Sequence, residues 1–487
     1  MEKLASMFAQ REKWHNNRAS TLFMCYINKV NDNVLVFQNY WHWKSHIDNV
    51  ACVVRLYHKD GSIYDIKEVS IQSHNEISIK QLFNVEDFVG TIDCEIISLS
   101  NIGFPFPAIL CFYRNINAIS VLHSAGRILN SNEATSQTEV AESNFLCILD
   151  DTFEPFIHIF SGSYVDTNQQ IELLVKSEDN IVLFKKTIEH VFDQAFQSEI
   201  VKLKSVCTDQ EIANLSGKKF YLVVKSNLIG AFGRFVVGNY NKKIDAFFVT
   251  HSFSHINSDN SDFTDKPDDL DASCFLPIPC AGPLSVEAVS YPTNAKSKLT
   301  LYERSTVLGG CLEATGQQMK VCTGGEHGSI FRVKLEGDAF SCWHFVDPSP
   351  SRLNVSYNYS LPNSDHPTDI ARGFMSHVYT PKVSHWGAGF HANNFETYIF
   401  VTNHSHNFLA TLSSEVTLTI FNNNVEYEKN FLVPAESAIC IKVSELDVDL
   451  SDAEFFSWRM KTEQTTLITF WISFDVNTGE ICGEHGF

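Results

Sequence analysis

The sequence is poor in recognisable signatures of chemistry. It holds no GxSxG elbow, no GxxxxGK[ST] loop, no HExxH helix and no GxGxxG after a strand. No motif therefore assigns it to the serine hydrolases, P-loop proteins, zincins or dinucleotide-binding enzymes. It has no run of Lys and Arg, and 37 basic against 57 acidic residues leave a formal net charge of −20. A surface of that sign repels nucleic acid and anionic membranes, so neither is expected as a partner. No apolar run approaches the roughly 20 residues a membrane-spanning helix needs. At the start, Ser6 interrupts the apolar stretch Leu4 to Phe8, so no secretory signal is expected, only a short amphipathic helix. Among 13 cysteines there is no CxxC pair. Cys52, Cys94, Cys111, Cys147 and Cys440 sit inside apolar runs. Buried, reduced thiols fit that placement, and the expected location is cytoplasmic. The cluster Cys311, Cys322 and Cys342 is a candidate for a cross-strand disulfide whose pairing spacing alone does not fix.

What the chain does have is alternation. At 487 residues it is too long for one core, and three or four domains are expected. Its 38 Phe residues favour strands. Between Glu396 and Leu446, three runs alternate apolar and polar side chains: Tyr398, Phe400, Thr402; Val416, Leu418, Ile420; and Ile439, Ile441, Val443. Period two with β-branched and aromatic residues marks half-buried strands. The same order recurs early. Val54 and Leu56 run into a turn at Asp60-Gly61, and Ile77 and Ile79 end at Leu82. In the later copy Leu418 and Ile420 run into Asn422 to Asn424, and Ile441 and Val443 end at Leu446. Two more strands follow in each copy, as expected of a sandwich module near a hundred residues long. Strand density suggests two further modules between them, the first with a helical insertion over Thr187 to Gln197. The polar stretch Ser131 to Ser143 and the acidic stretch Asn257 to Asp271 read as linkers.

This succession of strand, tight turn, strand and Leu-terminated strand resembles the immunoglobulin-like β-sandwich modules strung along many bacterial proteins. The resemblance implies an all-β fold of tandem immunoglobulin-like sandwiches and a scaffold role. It brings no catalytic motif. The expected modules are 20–130, 144–256, 272–380 and 381–487.

Two sets of side chains are candidates for function. A histidine follows the closing strand of each module: His123, His251 with His255, His385, and His485. Loops at one end of a sandwich cluster, and imidazole is the commonest transition-metal ligand, so these are candidate ligands for a divalent transition metal. A turn inherited by duplication explains the same recurrence without a metal. The pairs His404 and His406, and Glu326 and His327, are further candidates. Aromatic rings supply the other set. Trp41 and Trp43, two residues apart on one expected strand face, and Trp386 could stack on a sugar, or could simply belong to the core. The expected function is a non-enzymatic structural or binding protein, with carbohydrate or another protein as partner. The alternative is a metal-dependent enzyme whose site forms where His loops meet.

Overall fold

Alternating side chains become paired antiparallel sheets in a computed structural model of the protein. Residues 18–250 are described except 99–106, 124–139, 163–170, 178–180, 189–191 and 227–234. Between 251 and 383 only strand backbones are described, with the side chains of 357–359 and 368–370. Residues 384–487 are described except 393, 404–412, 423–424, 435–436, 463–466 and 476. The chain divides into two compact units, Met1–Phe253 and Ser254–Phe487.

In unit 1 the chain first forms β1 (Arg18–Ile27), β2 (Asn31–Gln38), β3 (Val50–His58) and β4 (Ile63–Val69). It continues through β5 (His74–Ser78), β6 (Phe88–Ser98), β7 (Leu110–Asn115) and β8 (Ala118–His123). These make two sheets, ordered β1-β6-β3-β4 and β5-β2-β7-β8. The second set is β9 (Val140–Ile148), β10 (Phe153–Phe160), β11 (Ile171–Ser177) and β12 (Val182–Ile188). It is completed by β13 (Ser198–Lys202), β14 (Lys219–Ser226), β15 (Val236–Asn241) and β16 (Ala246–Thr250). Its sheets repeat the first order, β12-β11-β14-β9 and β13-β10-β15-β16, with one further strand, β17 (Phe253–Ile256), added beside β9. That short strand spans the division between units.

Unit 2 begins with β18 (Ala272–Ile278), β19 (Leu284–Tyr291), β20 (Lys298–Glu303) and β21 (Gly310–Thr315). Then come β22 (Gln318–Thr323), β23 (Ser329–Glu336), β24 (Asn354–Ser360) and β25 (Thr368–Gly373). The last set is β26 (Ser384–Phe390), β27 (Phe395–Asn403), β28 (Ser414–Phe421) and β29 (Glu426–Val433), then β30 (Ser437–Lys442), β31 (Phe455–Lys461), β32 (Leu467–Asp475) and β33 (Ile481–His485). Its sheets, β26-β31-β28-β29 and β30-β27-β32-β33, copy the same order. The preceding set departs once: β21 leaves the edge of β18-β23-β20 and joins β22 in the order β21-β22-β19-β24-β25.

The chain is thus all-β, a tandem of β-sandwich modules. Within each fully regular module only the third and fourth strands, and the seventh and eighth, are joined as hairpins; every other connection crosses between the sheets. The first strand pairs with the sixth, whereas the immunoglobulin order pairs the first with the second. The matched segments in the sequence fall on equivalent strands, β3–β5 and β28–β30. Each of the three fully regular modules makes one helical turn after its fifth strand that buries an apolar residue: Ile79, Leu203 and Val443. Cores fill from both sheets. In the second module, Phe145, Cys147, Leu173 and Leu222 from one sheet meet Ile157, Ile159 and Val237 from the other.

Two local expectations are corrected. Tyr40–Ser45, which holds Trp41 and Trp43, is a helix, not a strand. Asn39 caps it by accepting from His42 N, and His46 ends it in the left-handed region. Among the described residues of Thr187 to Gln197 there is no helix: Thr187 and Ile188 complete β12, and those from Phe192 form a turn. The helix lies later, at Asp209–Leu215, set by the capping box of Thr208 and Glu211. The expected N-terminal helix, the pair Glu326 and His327, and His404 and His406 lie outside the described residues.

Candidate functional site

His123 ends β8 and is buried. His251 lies outside the described residues, and His255 is described only as backbone in β17. His385 is fully buried at the start of β26, with Nδ1 3.2 Å from the Thr469 hydroxyl. His485, at the end of β33, has Nδ1 3.1 Å from the Gly486 carbonyl and Nε2 3.7 Å from a carboxylate oxygen of Glu484. The aromatic candidates are packed rather than presented. Trp41 is 0% exposed and Trp386 3%, the latter against the Phe487 ring at 5.1 Å. Trp43 is half-buried. Cys311 and Cys322 stand opposite each other in the β21–β22 register; their side chains, and Cys342, lie outside the described residues.

The most developed constellation of polar groups centres on a residue the sequence did not single out. Asp245 sits in the turn between β15 and β16 of the second module, at φ 57°. Its carboxylate accepts from Tyr240 Oη at 2.6 Å within that module. From the first module it accepts from Tyr26 Oη at 2.8 Å, Asn28 Nδ2 at 2.7 Å and Asn31 Nδ2 at 3.2 Å. Its backbone carbonyl accepts from Asn31 Nδ2 at 2.8 Å, and the neighbouring Ile244 carbonyl accepts from Asn115 Nδ2 at 3.0 Å. Burial, reinforced by the Asp245 carboxylate, pushes the Tyr26 phenol up to about 12 and Tyr240 higher still. Both phenols therefore stay protonated donors.

Around this hub the two modules pack along a broad seam. The Ser120 hydroxyl on β8 accepts from Val249 N at 2.9 Å on β16. Ala118 joins Phe153, Ala246 and Phe248 in one apolar cluster. Leu22 packs with Phe160 and Phe196, and Tyr57 stacks on Phe196 at 4.8 Å. Thr91 Oγ1 lies 3.3 Å from Nε2 of the buried His158, whose pKa is depressed by burial to about 3.

A polar cleft of about 510 Å³ opens beside the hub, at the same end of the first module. Lys29, Lys80 and Arg114 line it against Asp32 and Glu86. Asp32 is already engaged by the Ser78 hydroxyl at 2.6 Å and Lys80 N at 3.0 Å. Lys80 Nζ bonds the Asn28 carbonyl at 2.9 Å. No histidine or cysteine lines the cleft, and Asn31 and Asn115 link its floor to Asp245.

Comparison with known proteins adds little. No family model matches the chain, and no curated protein matches it. Among solved structures, a tetra-tandem repeat from the extending region of a large adhesion protein aligns over 96% of this chain and 98% of its own, at 9% identity and a TM-score of 0.08. A superposition that poor matches lengths, not folds. Among the described residues no helix is long and apolar enough to cross a membrane.

Proposed function

We propose that the protein is a non-enzymatic structural scaffold whose working part is a stiff two-module block. The observation that carries this is the Asp245 hub: four side-chain donors, three of them from the other module, converge on one carboxylate. Hydrogen bonds to a charged acceptor are each stronger than neutral ones, and several at one point fix orientation as well as contact. Unit 2 supports the same reading. There the eighth strands β25 and β33 also meet: the Thr368 hydroxyl bonds the Ile481 carbonyl, and Gly483 lies close against Ile370. The equivalent strands β8 and β16 meet in unit 1. Placement in a reducing compartment such as the cytoplasm, where thiols stay unpaired, belongs to the same proposal. The test is small-angle scattering and calorimetry on the full chain and on Asp245→Ala. A scaffold block predicts that the two modules of unit 1 melt together in the wild type, and that the variant separates their transitions and broadens the scattering envelope. Unchanged melting and scattering would remove the hub from any mechanical role.

A further inference from the structure

The fourth strand closes the sheet β1-β6-β3-β4, so among the described residues β4 has one paired side and one open side. An open, apolar edge is a template for another strand. Ile63, Tyr64 and Ile66 are 51%, 42% and 48% exposed there. His58 N donates to Ser62 O at the hairpin, so the positions of β3 that bond β4 alternate from His58 through Leu56 and Val54 to Cys52. Their partners on β4 are Asp65, Lys67 and Val69, past the bulge beside Leu56. Ile66 and Glu68 therefore turn their backbone amides to the open side, where Ile66 N donates to the Asp65 carboxylate at 2.7 Å.

The sequence of this edge, Ile63–Val69, is complementary to its own reverse. Antiparallel pairing with a second copy centred on Ile66 sets Ile63 opposite Val69, Tyr64 opposite Glu68 and Asp65 opposite Lys67, the last pair twice across the two-fold axis. Ile66 then meets Ile66 as a hydrogen-bonded pair. The Asp65–Lys67 pairs fall at non-hydrogen-bonded positions, where side chains approach most closely. Registers centred on Asp65 or Lys67 oppose like charges instead. In the single chain Lys67 Nζ folds back on Asp65 at 2.7 Å and Asp65 also accepts from Ile66 N at 2.7 Å; both side chains are about 40% exposed, and pairing with a second copy exchanges the two bonds for Lys67 and Ile66 of that copy. The corresponding edge β12 also exposes apolar residues at its start, Ile181, Val182 and Leu183, but a copy-to-copy pairing centred on this strand would set Lys185 opposite Lys185.

We propose that β4 is a homodimerisation edge, joining a second copy of this chain through an isologous, antiparallel strand pair centred on Ile66. This is independent of the scaffold reading, which rests on the Asp245 hub and uses no residue of β4. The contact is one strand wide, smaller than the usual interface of about 1,200 Å² or more, so dissociation between about 10 µM and 1 mM is expected.

Charge exchange tests it. Sedimentation of the full chain should show a concentration-dependent dimer. Asp65→Lys sets two lysines opposite each other in both cross-strand pairs, and Lys67→Asp sets two aspartates there. Each alone should weaken self-association at least about tenfold. The double variant restores both pairs and should dimerise like the wild type. An equimolar mixture of the two single variants should form a heterodimer, because each supplies the charges the other lacks. Circular dichroism checks that all remain folded, which their exposed positions predict. A monomeric wild type at about 1 mM, a dimer indifferent to the single reversals, or a mixture that stays monomeric would each overturn the proposal.

Discussion

At φ 57° Asp245 occupies backbone space that only Gly, Asn and Asp visit at small cost. The side chain is thus chosen twice, by the turn and by the donors it receives. Asp245→Ala loses both and should destabilise unit 1 by about 2–4 kcal/mol in denaturant unfolding. Asp245→Asn keeps the turn and one acceptor oxygen and should cost about half as much. His158 provides a pH test with a definite sign. Its folded pKa, near 3, lies below the usual value of 6.5 because burial disfavours the charged ring. The unfolded chain therefore binds more protons. This contribution to stability is complete above about pH 6.5 and is lost as pH falls toward 3, by up to about 1.4 kcal/mol per pH unit. His158→Gln should flatten that slope, measured by chemical denaturation of wild type and variant from pH 7 to 4.5. Neither residue was legible in advance. Asp245 meets partners more than 200 positions away, and a lone buried His leaves no periodic mark.

Elements were more legible than residues, and the exceptions have physical causes. The runs around Val416 and Val54 announced β28 and β3 because one face of each is buried. Trp41 and Trp43 looked like neighbours on a strand face, yet Asn39 turns that segment into six residues of helix. The capping side chain, not hydrophobic spacing, decided the outcome. The departure of β21 from its sheet was not readable either, since alternation is the same whichever edge a strand joins. In β26 two glycines set a limit on packing. A Cβ on Gly387 would come within 2.4 Å of the Trp458 ring, and one on Gly389 within 2.1 Å of Phe456. Rings of that size cannot retreat from a filled core. Gly387→Ala and Gly389→Ala should each lower stability by about 1–3 kcal/mol, visible as a loss in the melting temperature of unit 2.

For the whole molecule, the all-β class and the tandem organisation were carried by repeated alternation and turns. The candidate site was not, because a seam between modules is made by pairs of residues remote in sequence. The thiols offer a global check. Of the eight described cysteines, six are buried and two half-buried, and burial raises the pKa of Cys25, Cys147 and Cys482 well above the ordinary thiol range. These should react with a thiol reagent only after denaturation, and without prior reduction; mass spectrometry of the labelled peptides counts them. The meeting of eighth strands, β8 with β16 and β25 with β33, bears on how such a chain can grow. Copying one module alone would leave an eighth strand with no counterpart to cover it. Copying two together leaves none, so the smallest addition that keeps every eighth strand covered is a pair of modules.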